Sequence, residues 1–312
     1  MDLVINLDKA EGISSHEAGT QVKKVFNAKK AGHAGTLDPM ATGILLVCLN
    51  RATRIVSYLA LLDKEYVVTA KLGEATDTQD SSGRIISKKE VPRLQVQEIK
   101  NVLKSFEGKS LQRPPIFSAL KHKGTPLYKL ARKGLEVHSS LREINIKKIE
   151  LENVDLPFIT FNVACSKGTY VRALCDDIGK QLGVGAHMCA LKRTGVGPFR
   201  IEDSIDIQNL ADIQIESVYG AKRLPYQAET RFEKSIFDID TALSWIQSLT
   251  VNEYAVKNIR NGSPPRIRDI LKLPEGLKTG DAVKVKAPDN ELLAIGRFLT
   301  EPAKIKLETV FA

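Results

Sequence analysis

The chain has 312 residues, 43% of them hydrophobic, which is enough for one large domain and one small domain with ordinary cores. Its formal net charge of +9 favours a polyanionic partner, although charge by itself says nothing about the fold. The four cysteines are scattered and form no C-x-x-C pair, which argues against a zinc site or a disulfide framework and favours reduced thiols in the cytoplasm. The acidic amino terminus argues against a secretory signal, and the lack of a long apolar run argues against a membrane span.

The elements of the first part of the chain follow from hydrophobic periodicity and from turn residues. Alternating apolar residues indicate strands, spacings of three and four indicate helices, and Gly, Pro, Asp and Ser mark turns. On these rules the predicted elements are a strand at 2–8, a helix at 16–26 capped by Ser14 or Ser15, a glycine loop at 32–39, strands at 43–49 and 66–73, an acidic turn at 77–83 and a helix at 94–107.

The second part of the chain is predicted to end in a small β-rich unit. Its elements are strands at 142–152 and 158–165, a helix at 171–182 with Arg172 in its first turn, a helix at 239–246, and strands at 282–286, 292–298 and 304–310. Turn residues crowd the chain beyond residue 250. The sequence therefore predicts a mixed α/β (α+β) protein with a large domain at 1–249 and a β-rich domain at 250–312.

Positive charge is concentrated between Asn101 and Gly134. One anion, Glu107, stands there against eight cations, a net charge of +7: Lys104, Lys109, Arg113, Lys121, Lys123, Lys129, Arg132 and Lys133. Such a segment is either a solvated helix and loop or a surface that contacts phosphates. The candidates for RNA contacts within it are Lys121, Lys123 and Arg132.

A carboxylate lies in the run Gly32-His33-Ala34-Gly35-Thr36-Leu37-Asp38-Pro39, which is predicted to be neither helix nor strand. Its glycines permit unusual backbone angles, and the proline disfavours the α region for Asp38. Asp38 could cap the next turn or take part in catalysis. His33 could be an ordinary surface residue, or it could fill the space left by an extruded base. A hydrolase is not indicated, because the sequence has neither a G-x-S-x-G nucleophile elbow nor a Cys-His pair.

Two further residues could assist Asp38. Arg172 could pair with Asp176 on its own helix, or it could reach Asp38, lower the pKa of that carboxyl and keep it ionised. Tyr66 could be plain core, a stacking face for a uracil or a proton relay. Asp77 and Asp80 lack the calcium-loop pattern and are interpreted as turn residues.

A series of short motifs runs in order from residue 3 to about 200. They are Leu7-Asp8-Lys9, Ser15-His16, residues 32–39, Ala41-Thr42-Gly43, Lys64-Glu65-Tyr66, residues 73–78 and 80–83, Arg113-Pro114-Pro115, Ser118-Ala119-Leu120-Lys121, Tyr128 with Ala131-Arg132, and residues 168–172, 191–194 and 197–199. In this set the chain resembles the TruB family of tRNA pseudouridine-55 synthases. The end of the chain is similar to a small PUA RNA-binding domain. Ala10 and Asn50 depart from the family, which usually has proline and glycine there.

The resemblance implies a pseudouridine synthase fold, with a curved, largely antiparallel mixed sheet, flanking helices and a PUA-like domain. It implies that a flipped T-loop uridine of tRNA is isomerised without metal or cofactor: the N1–C1′ bond breaks, and the uracil turns and rejoins the ribose through C5. By this resemblance Asp38 is the catalytic residue, Tyr66 stacks on the uracil and helps to remove the C5 proton, and Arg172 pairs with Asp38. His33 would fill the position that the flipped base leaves, and Leu191 would line the uracil pocket. Lys9 and Tyr170 would support the pocket.

The partner implied is the T stem-loop of tRNA, recognised by shape and phosphate, with no obligatory protein partner and no membrane, and the enzyme is expected to be a monomer. One alternative is a guide-RNA-dependent, dyskerin-like subunit, which the chain's start near the first motif disfavours. Another is an RNA-binding folding aid for tRNA in which catalysis is dispensable.

Overall fold

The computed structural model of the protein describes residues 1–117, 120–122, 125–127, 140–211, 234–301 and 303–311. In this part of the chain, a large mixed sheet of ten strands is followed by a five-stranded sheet. None of the helices described is both long and apolar enough to cross a membrane. The architecture confirms the predicted mixed α+β class with a β-rich carboxyl-terminal part.

The helices are short and lie between the strands in sequence. They are α1 (Ser15–Val25), α2 (Val56–Ala60), α3 (Val96–Ser105), α4 (Val171–Gln181), α5 (Ile207–Ala211) and α6 (Glu253–Arg260), with 3-10 turns at Asn50–Ile55, Ile201–Asp203, Thr241–Leu243 and Ile267–Asp269.

The strands are β1 (Leu3–Lys9), β2 (Ala31–Ala34), β3 (Thr42–Leu49), β4 (Lys64–Leu72), β5 (Glu74–Thr76), β6 (Ile85–Lys88), β7 (Gly108–Gln112), β8 (Lys121–His122), β9 (Thr125–Pro126), β10 (Arg142–Asp155), β11 (Phe158–Cys165), β12 (Ala186–Val196), β13 (Phe199–Arg200), β14 (Ile236–Asp238), β15 (Ser248–Val251), β16 (Ile270–Lys272), β17 (Ala282–Lys286), β18 (Leu292–Thr300) and β19 (Ala303–Val310).

The large sheet has the strand order β14-β1-β3-β12-β4-β11-β10-β7, with β2 added to β3 and β13 added to β12. Its neighbours run antiparallel except for the short parallel contact between β3 and β12. Three strands that are distant in sequence, β3, β12 and β4, therefore meet at the centre of the sheet. The side chains and loops at this centre form the candidate site.

Helix α1 begins where the sequence provides a capping box. Ser14 accepts a hydrogen bond from the backbone of Glu17, and the Glu17 carboxylate accepts one from the backbone of Ser14. Ala18 and Val22 then lie in the buried apolar cluster that joins the helix to β1 and β3. Of the two capping candidates, Ser14 is thus the cap, and Ser15 is free for another role.

Three features of the fold differ from the sequence interpretation. The central strand β12 was not predicted, because two bulges and the polar residues in it interrupt the apolar alternation. The segment 32–34 belongs to strand β2, paired with β3, so the loop begins only at Gly35. The helix predicted at 239–246 is wrong, since only a 3-10 turn forms there, at Thr241–Leu243.

The carboxyl-terminal sheet has the order β16-β15-β17-β18-β19 and its own apolar core. Asp240, which precedes this sheet, pairs with the buried ammonium groups of Lys284 and Lys286, each at 2.7 Å. Ile295 and Phe311 of the carboxyl-terminal part lie in an apolar cluster with residues of β3. The division into domains at residues 249 and 250 stays a prediction, and β15 begins at Ser248.

Gly43 is required where β3 runs beside β12. It lies opposite Arg193 with φ +95°, in the left-handed region that favours glycine. A Cβ atom there would be 2.2 Å from the carbonyl oxygen of Arg193 and 2.8 Å from its nitrogen. The close approach of two central strands therefore depends on a missing side chain.

We expect Gly43→Ala to lower the free energy of unfolding by about 3 kcal/mol or more, because it combines a left-handed alanine with a backbone clash. Gly19→Ala in α1 is the matched control: apart from its chain neighbours and the backbone of its own helix, no heavy atom of the described residues lies within 4 Å of the added methyl group, and the variant should gain about 0.5–1 kcal/mol. Urea unfolding of both variants measures the difference, and equal stability of Gly43→Ala and the parent would contradict the close approach.

Candidate active site

The loop that carries Asp38 is fastened to its surroundings at three successive points. Arg193 donates to the carbonyl of Gly35 at 3.0 Å, and the Ser15 hydroxyl donates to the carbonyl of Leu37 at 2.9 Å. The backbone N–H of Leu37 donates back to that hydroxyl at 2.8 Å. The carbonyl of Pro39 accepts from the backbone of Gly12 at 2.8 Å. Asp38 is therefore held on a rigid loop, outside helix and strand as predicted.

Arg172 brings two carboxylates together at this loop. Its Nε is 3.1 Å from Asp38 Oδ2, and its NH1 is 3.1 Å from Asp80 Oδ2. The guanidinium also donates to the carbonyl of Phe117 at 2.8 Å. Only 9% of the Arg172 side chain and 5% of the Asp80 side chain are exposed, against 38% for Asp38. The arrangement is a buried cation that orients one accessible carboxylate.

The alternative roles considered for Arg172 and Asp38 are not the ones that form. Asp176 pairs with Lys180 and accepts from Gln79, so it is not the partner of Arg172. The turn after Asp38 is closed by a backbone hydrogen bond from Ala41 to the carbonyl of Asp38. This leaves the Asp38 carboxylate for Arg172 and for a ligand.

The net direction of the Asp38 pKa differs from the sequence expectation. Burial raises the pKa of Asp38, and the nearby Asp80 raises it further, while Arg172 and Lys9 lower it. The expectation of a lowered pKa is therefore wrong. Arg172 acts in the predicted direction, but the removal of the carboxyl from water outweighs it.

Tyr66 and Leu191 line the centre of the sheet beside the loop. Both are about 9% exposed and belong to one apolar cluster with Leu37. Tyr66 on β4 lies directly opposite Arg193 on β12, so their side chains share a face. Burial raises the pKa of the Tyr66 hydroxyl and the Asp38 charge adds to the rise, whereas Arg193 lowers it. The Tyr66 hydroxyl is thus uncharged, and the charge of Asp38 acts on its pKa.

Lys9 and Tyr170 lie where they can support the loop and the helix. The fully buried Lys9 ammonium donates to the carbonyls of Ala10 and Ile13, each at 2.8 Å, and burial lowers its pKa. This ammonium also donates to the carbonyl of Pro39 at 3.3 Å, which ties the start of the chain to the loop. The Gln112 side chain holds the backbone of Tyr170, the residue directly before helix α4, through two hydrogen bonds of 2.8 and 3.1 Å.

His33 lies in β2 rather than in the loop, next to the segment that carries Asp38. Burial and the charge of Arg193 lower its pKa, so the ring is neutral at physiological pH. Its Nδ1 is buried without a hydrogen-bond partner among the described residues.

The basic segment at 101–134 is described only in part. Lys104 pairs with Glu107 at 2.6 Å and Lys109 with Glu143 at 3.5 Å. Lys123 and Arg132, like Lys129 and Lys133, lie outside the described residues, and for Lys121 only the backbone, in β8, is described. Their RNA contacts stay a prediction.

Asp80 is the main residue that the sequence interpretation missed. It was assigned a turn role, and its Oδ1 does accept from Thr78 at 2.7 Å and from the backbone of Ser82 at 3.0 Å. Its other oxygen binds Arg172, so a turn role alone is wrong. The usable signal was the cluster of hydroxyl residues around it, because a buried carboxylate needs such donors. Asp77 does hold the turn, accepting from the backbone of Arg84 at 2.8 Å.

Family models and curated relatives indicate one family. A family model described as TruB family pseudouridylate synthase, N-terminal domain, matches residues 23–171, and one described as tRNA pseudouridylate synthase B C-terminal domain matches residues 172–244. A tRNA pseudouridine synthase B of Clostridium tetani (strain Massachusetts / E88) is 40% identical over 98% of both chains. The protein of the same name in Francisella philomiragia is 50% identical over 68% of this chain and 71% of its own length.

A solved structure is similar over almost the whole chain. In the crystal structure of the archaeal box H/ACA sRNP Nop10-Cbf5 complex, one chain superimposes with a TM-score of 0.75 at 30% sequence identity. The match covers 99% of this chain and 86% of that one.

Proposed function

This chain belongs to the TruB family of pseudouridylate synthases, and on that premise we propose that it converts the T-loop uridine at position 55 of tRNA to pseudouridine, with Asp38, Arg172 and Tyr66 at the reacting centre. It is a tRNA pseudouridine synthase of this family, hence an isomerase. The reaction moves the attachment of the uracil from N1 to C5, and no atom is gained or lost.

The observation that carries the assignment of roles is the Arg172 guanidinium between Asp38 and Asp80. A carboxylate can assist N1–C1′ cleavage, by attack on C1′ or by removal of a ribose proton, only if it is ionised and aimed at the sugar. Arg172 favours both conditions, and the three fastened points of the loop remove the freedom to turn away. The partial exposure of Asp38 leaves it open to a flipped nucleotide.

The remaining residues are proposed to bind and turn the base. Tyr66 would stack on the uracil and take part in removal of the C5 proton, and Leu191 would line the pocket beside it. His33, being neutral and half-buried, would fill the space that the extruded nucleotide leaves. Lys9 and Tyr170 would act through the loop and through the start of α4.

The carboxyl-terminal sheet is proposed to form a second, PUA-like RNA-binding surface. Helix α6 carries Tyr254, 89% exposed, and the exposed Lys257, a combination that suits base stacking beside a phosphate. The ion pairs of Asp240 with Lys284 and Lys286 join this sheet to the end of the large one. They would keep the second RNA-binding surface at a fixed distance from Asp38. The proposal includes no obligatory protein partner and a monomeric enzyme.

The test is to incubate the purified protein with unmodified tRNA and to map new pseudouridines, with and without added guide RNA. We expect one new pseudouridine, in the T-loop, without any guide. Modification only in the presence of a guide would favour the guide-RNA-dependent, dyskerin-like alternative. Binding and refolding of tRNA without modification would favour the RNA-folding alternative.

A further prediction concerns the proposed RNA clamp at 101–134. Replacing Lys121, Lys123 and Lys129 with Gln should flatten the dependence of tRNA affinity on salt, because each lost phosphate contact reduces the slope of log K against log salt by about 0.7–0.9. Fluorescence titration of tRNA between low and moderate salt measures the slope. The control is Lys147→Gln, a cation paired with Asp63 outside the segment. A slope equal to that of the parent in the triple variant would contradict the clamp.

A further inference from the structure

Arg193 is a buried cation that forms no ion pair with any of the described residues. It is the largest of the fully buried side chains, 1% exposed, and lies on the central strand β12. Among the described residues no carboxylate lies within 4.0 Å of it, in contrast to Arg172, which has two. Burying a charge without a charged partner costs free energy. The presence of the Arg193 guanidinium beside the site therefore suggests that it has a function there.

The guanidinium of Arg193 links strand β3 to the loop that carries Asp38. Its Nε donates to the carbonyl of Ile44 on β3 at 2.7 Å, and its NH2 donates to the carbonyl of Gly35 at the start of the Asp38 loop at 3.0 Å. Tyr66 lies directly opposite Arg193 on the neighbouring strand β4, and both side chains are buried. The side chain that holds the loop of Asp38 therefore also lies beside Tyr66.

An arginine suits this place better than a lysine does. The guanidinium presents donors in a rigid planar fork, so it can bind acceptors on two different elements at once. An ammonium on a flexible stem keeps the charge and loses the fixed angles.

We propose that Arg193 is a positioning residue that acts through Tyr66 in the removal of the C5 proton after the uracil has rejoined the ribose. Because the guanidinium lies on the same face of the sheet as Tyr66, directly across the strand pair, its positive charge favours negative charge on the Tyr66 oxygen. This inference rests on the proposed function and assigns to Arg193 a role in one of its steps.

The step balances without any further reactant. The C5–H bond breaks and its electron pair forms the C5=C6 double bond, while the C6=N1 double bond of the intermediate opens toward N1. The C5 proton passes to the Tyr66 oxygen as the hydroxyl releases its own proton to solvent, and N1 takes up a proton from solvent, so that one proton is released and one is gained. The product carries a hydrogen on N1 in place of the one on C5, so nothing is oxidised or reduced.

The experiment compares Arg193→Lys and Arg193→Met with the parent on unmodified tRNA and on tRNA with deuterium at C5 of the target uridine. Three quantities are measured: tRNA affinity, the single-turnover rate at saturating enzyme, and the deuterium isotope effect on that rate. The matched control is Lys192→Met, which removes an exposed cation from the neighbouring position on β12.

We expect Arg193→Lys to keep the tRNA affinity within about twofold, to lose about tenfold or more in rate, and to raise the isotope effect, because the C5 step becomes slower than the others. In a Tyr66→Phe background the same change should add little, since the hydroxyl it acts on is gone. Lys192→Met should leave the isotope effect unchanged.

A lower rate with an unchanged isotope effect would overturn the inference, because loss of general stability slows every step alike. So would a full additional loss in the Tyr66→Phe background. If Arg193→Met does not fold, Arg193→Lys, which retains the buried charge, carries the test. A parent protein that forms no pseudouridine would refute the proposed function itself, which separates the two failures.

Discussion

Asp38→Asn should bind tRNA as tightly as the parent protein and form pseudouridine slower by a factor on the order of 10⁴ or more. The amide keeps the shape of the carboxyl and removes its negative charge. It therefore leaves the fastened loop intact while removing the group that Arg172 orients toward the ribose. Single-turnover formation of pseudouridine, measured beside tRNA affinity, separates chemistry from binding.

The matched control for this change is Asp77→Asn. Asp77 is an exposed aspartate of the nearby turn, and its asparagine can still accept from the backbone of Arg84. We expect its turnover to equal that of the parent. Parent-like conversion by Asp38→Asn would eliminate Asp38 from the chemistry.

The raised pKa of Asp38 has a consequence for pH dependence. A carboxyl whose pKa in the folded protein exceeds its ordinary value becomes protonated at a higher pH than usual, so turnover should fall on acidification above the pH at which a free aspartate titrates. By the same linkage, the free energy of unfolding falls as the pH rises from the ordinary pKa of an aspartate to the folded pKa of Asp38, and this contribution to the pH dependence of stability should be absent in Asp38→Asn.

Asp80→Asn should reduce turnover by about 100-fold, because Arg172 stays beside Asp38 but loses one of the two carboxylates that fix the angle of its guanidinium. The asparagine oxygen can still accept from Thr78 and Ser82, so the turn itself can persist. Its amide nitrogen, however, would face the NH1 donor of Arg172. A buried cation with one partner fewer should also lower the stability of the protein.

A second effect of Asp80→Asn distinguishes an electrostatic role from a loss of folding. Asp80 raises the pKa of Asp38, so its neutralisation should move the acid limb of the pH–rate profile to lower pH. The rate of the variant is measured at several pH values against Asp77→Asn as the control. A parent-like rate, or an acid limb that stays in place, would show that Asp80 does not act on Asp38.

The local part of the fold was predictable from the sequence. The strands at 43–49 and 158–165 and the helix starting at Val171 follow from patterns of a few residues, and the structure has them within one or two positions. Strand β12 was missed because Lys192 and Arg193 interrupt its apolar alternation. Their side chains make sense only after β3 and β4 have been placed on either side.

The site was predictable where a motif carries it and was missed where contacts join distant segments. Asp38, Tyr66 and Arg172 stand in motifs, whereas the bond between Arg172 and Asp80 spans 92 positions and the bond between Arg193 and Ile44 spans 149. The direction of the Asp38 pKa was missed for a related reason. Burial dominates it, and burial is a property of the assembled site.

The central claim is that a carboxylate held by Arg172 meets the ribose of a flipped uridine. The most direct measurement is a crystal structure of the Asp38→Asn protein bound to a T stem-loop that contains the target uridine. The account predicts the uridine outside its stack, its ring against Tyr66 and its C1′ within about 3.5 Å of the residue 38 side chain. A target uridine that stays in its stack, or that binds away from Asp38 and Arg172, would contradict it.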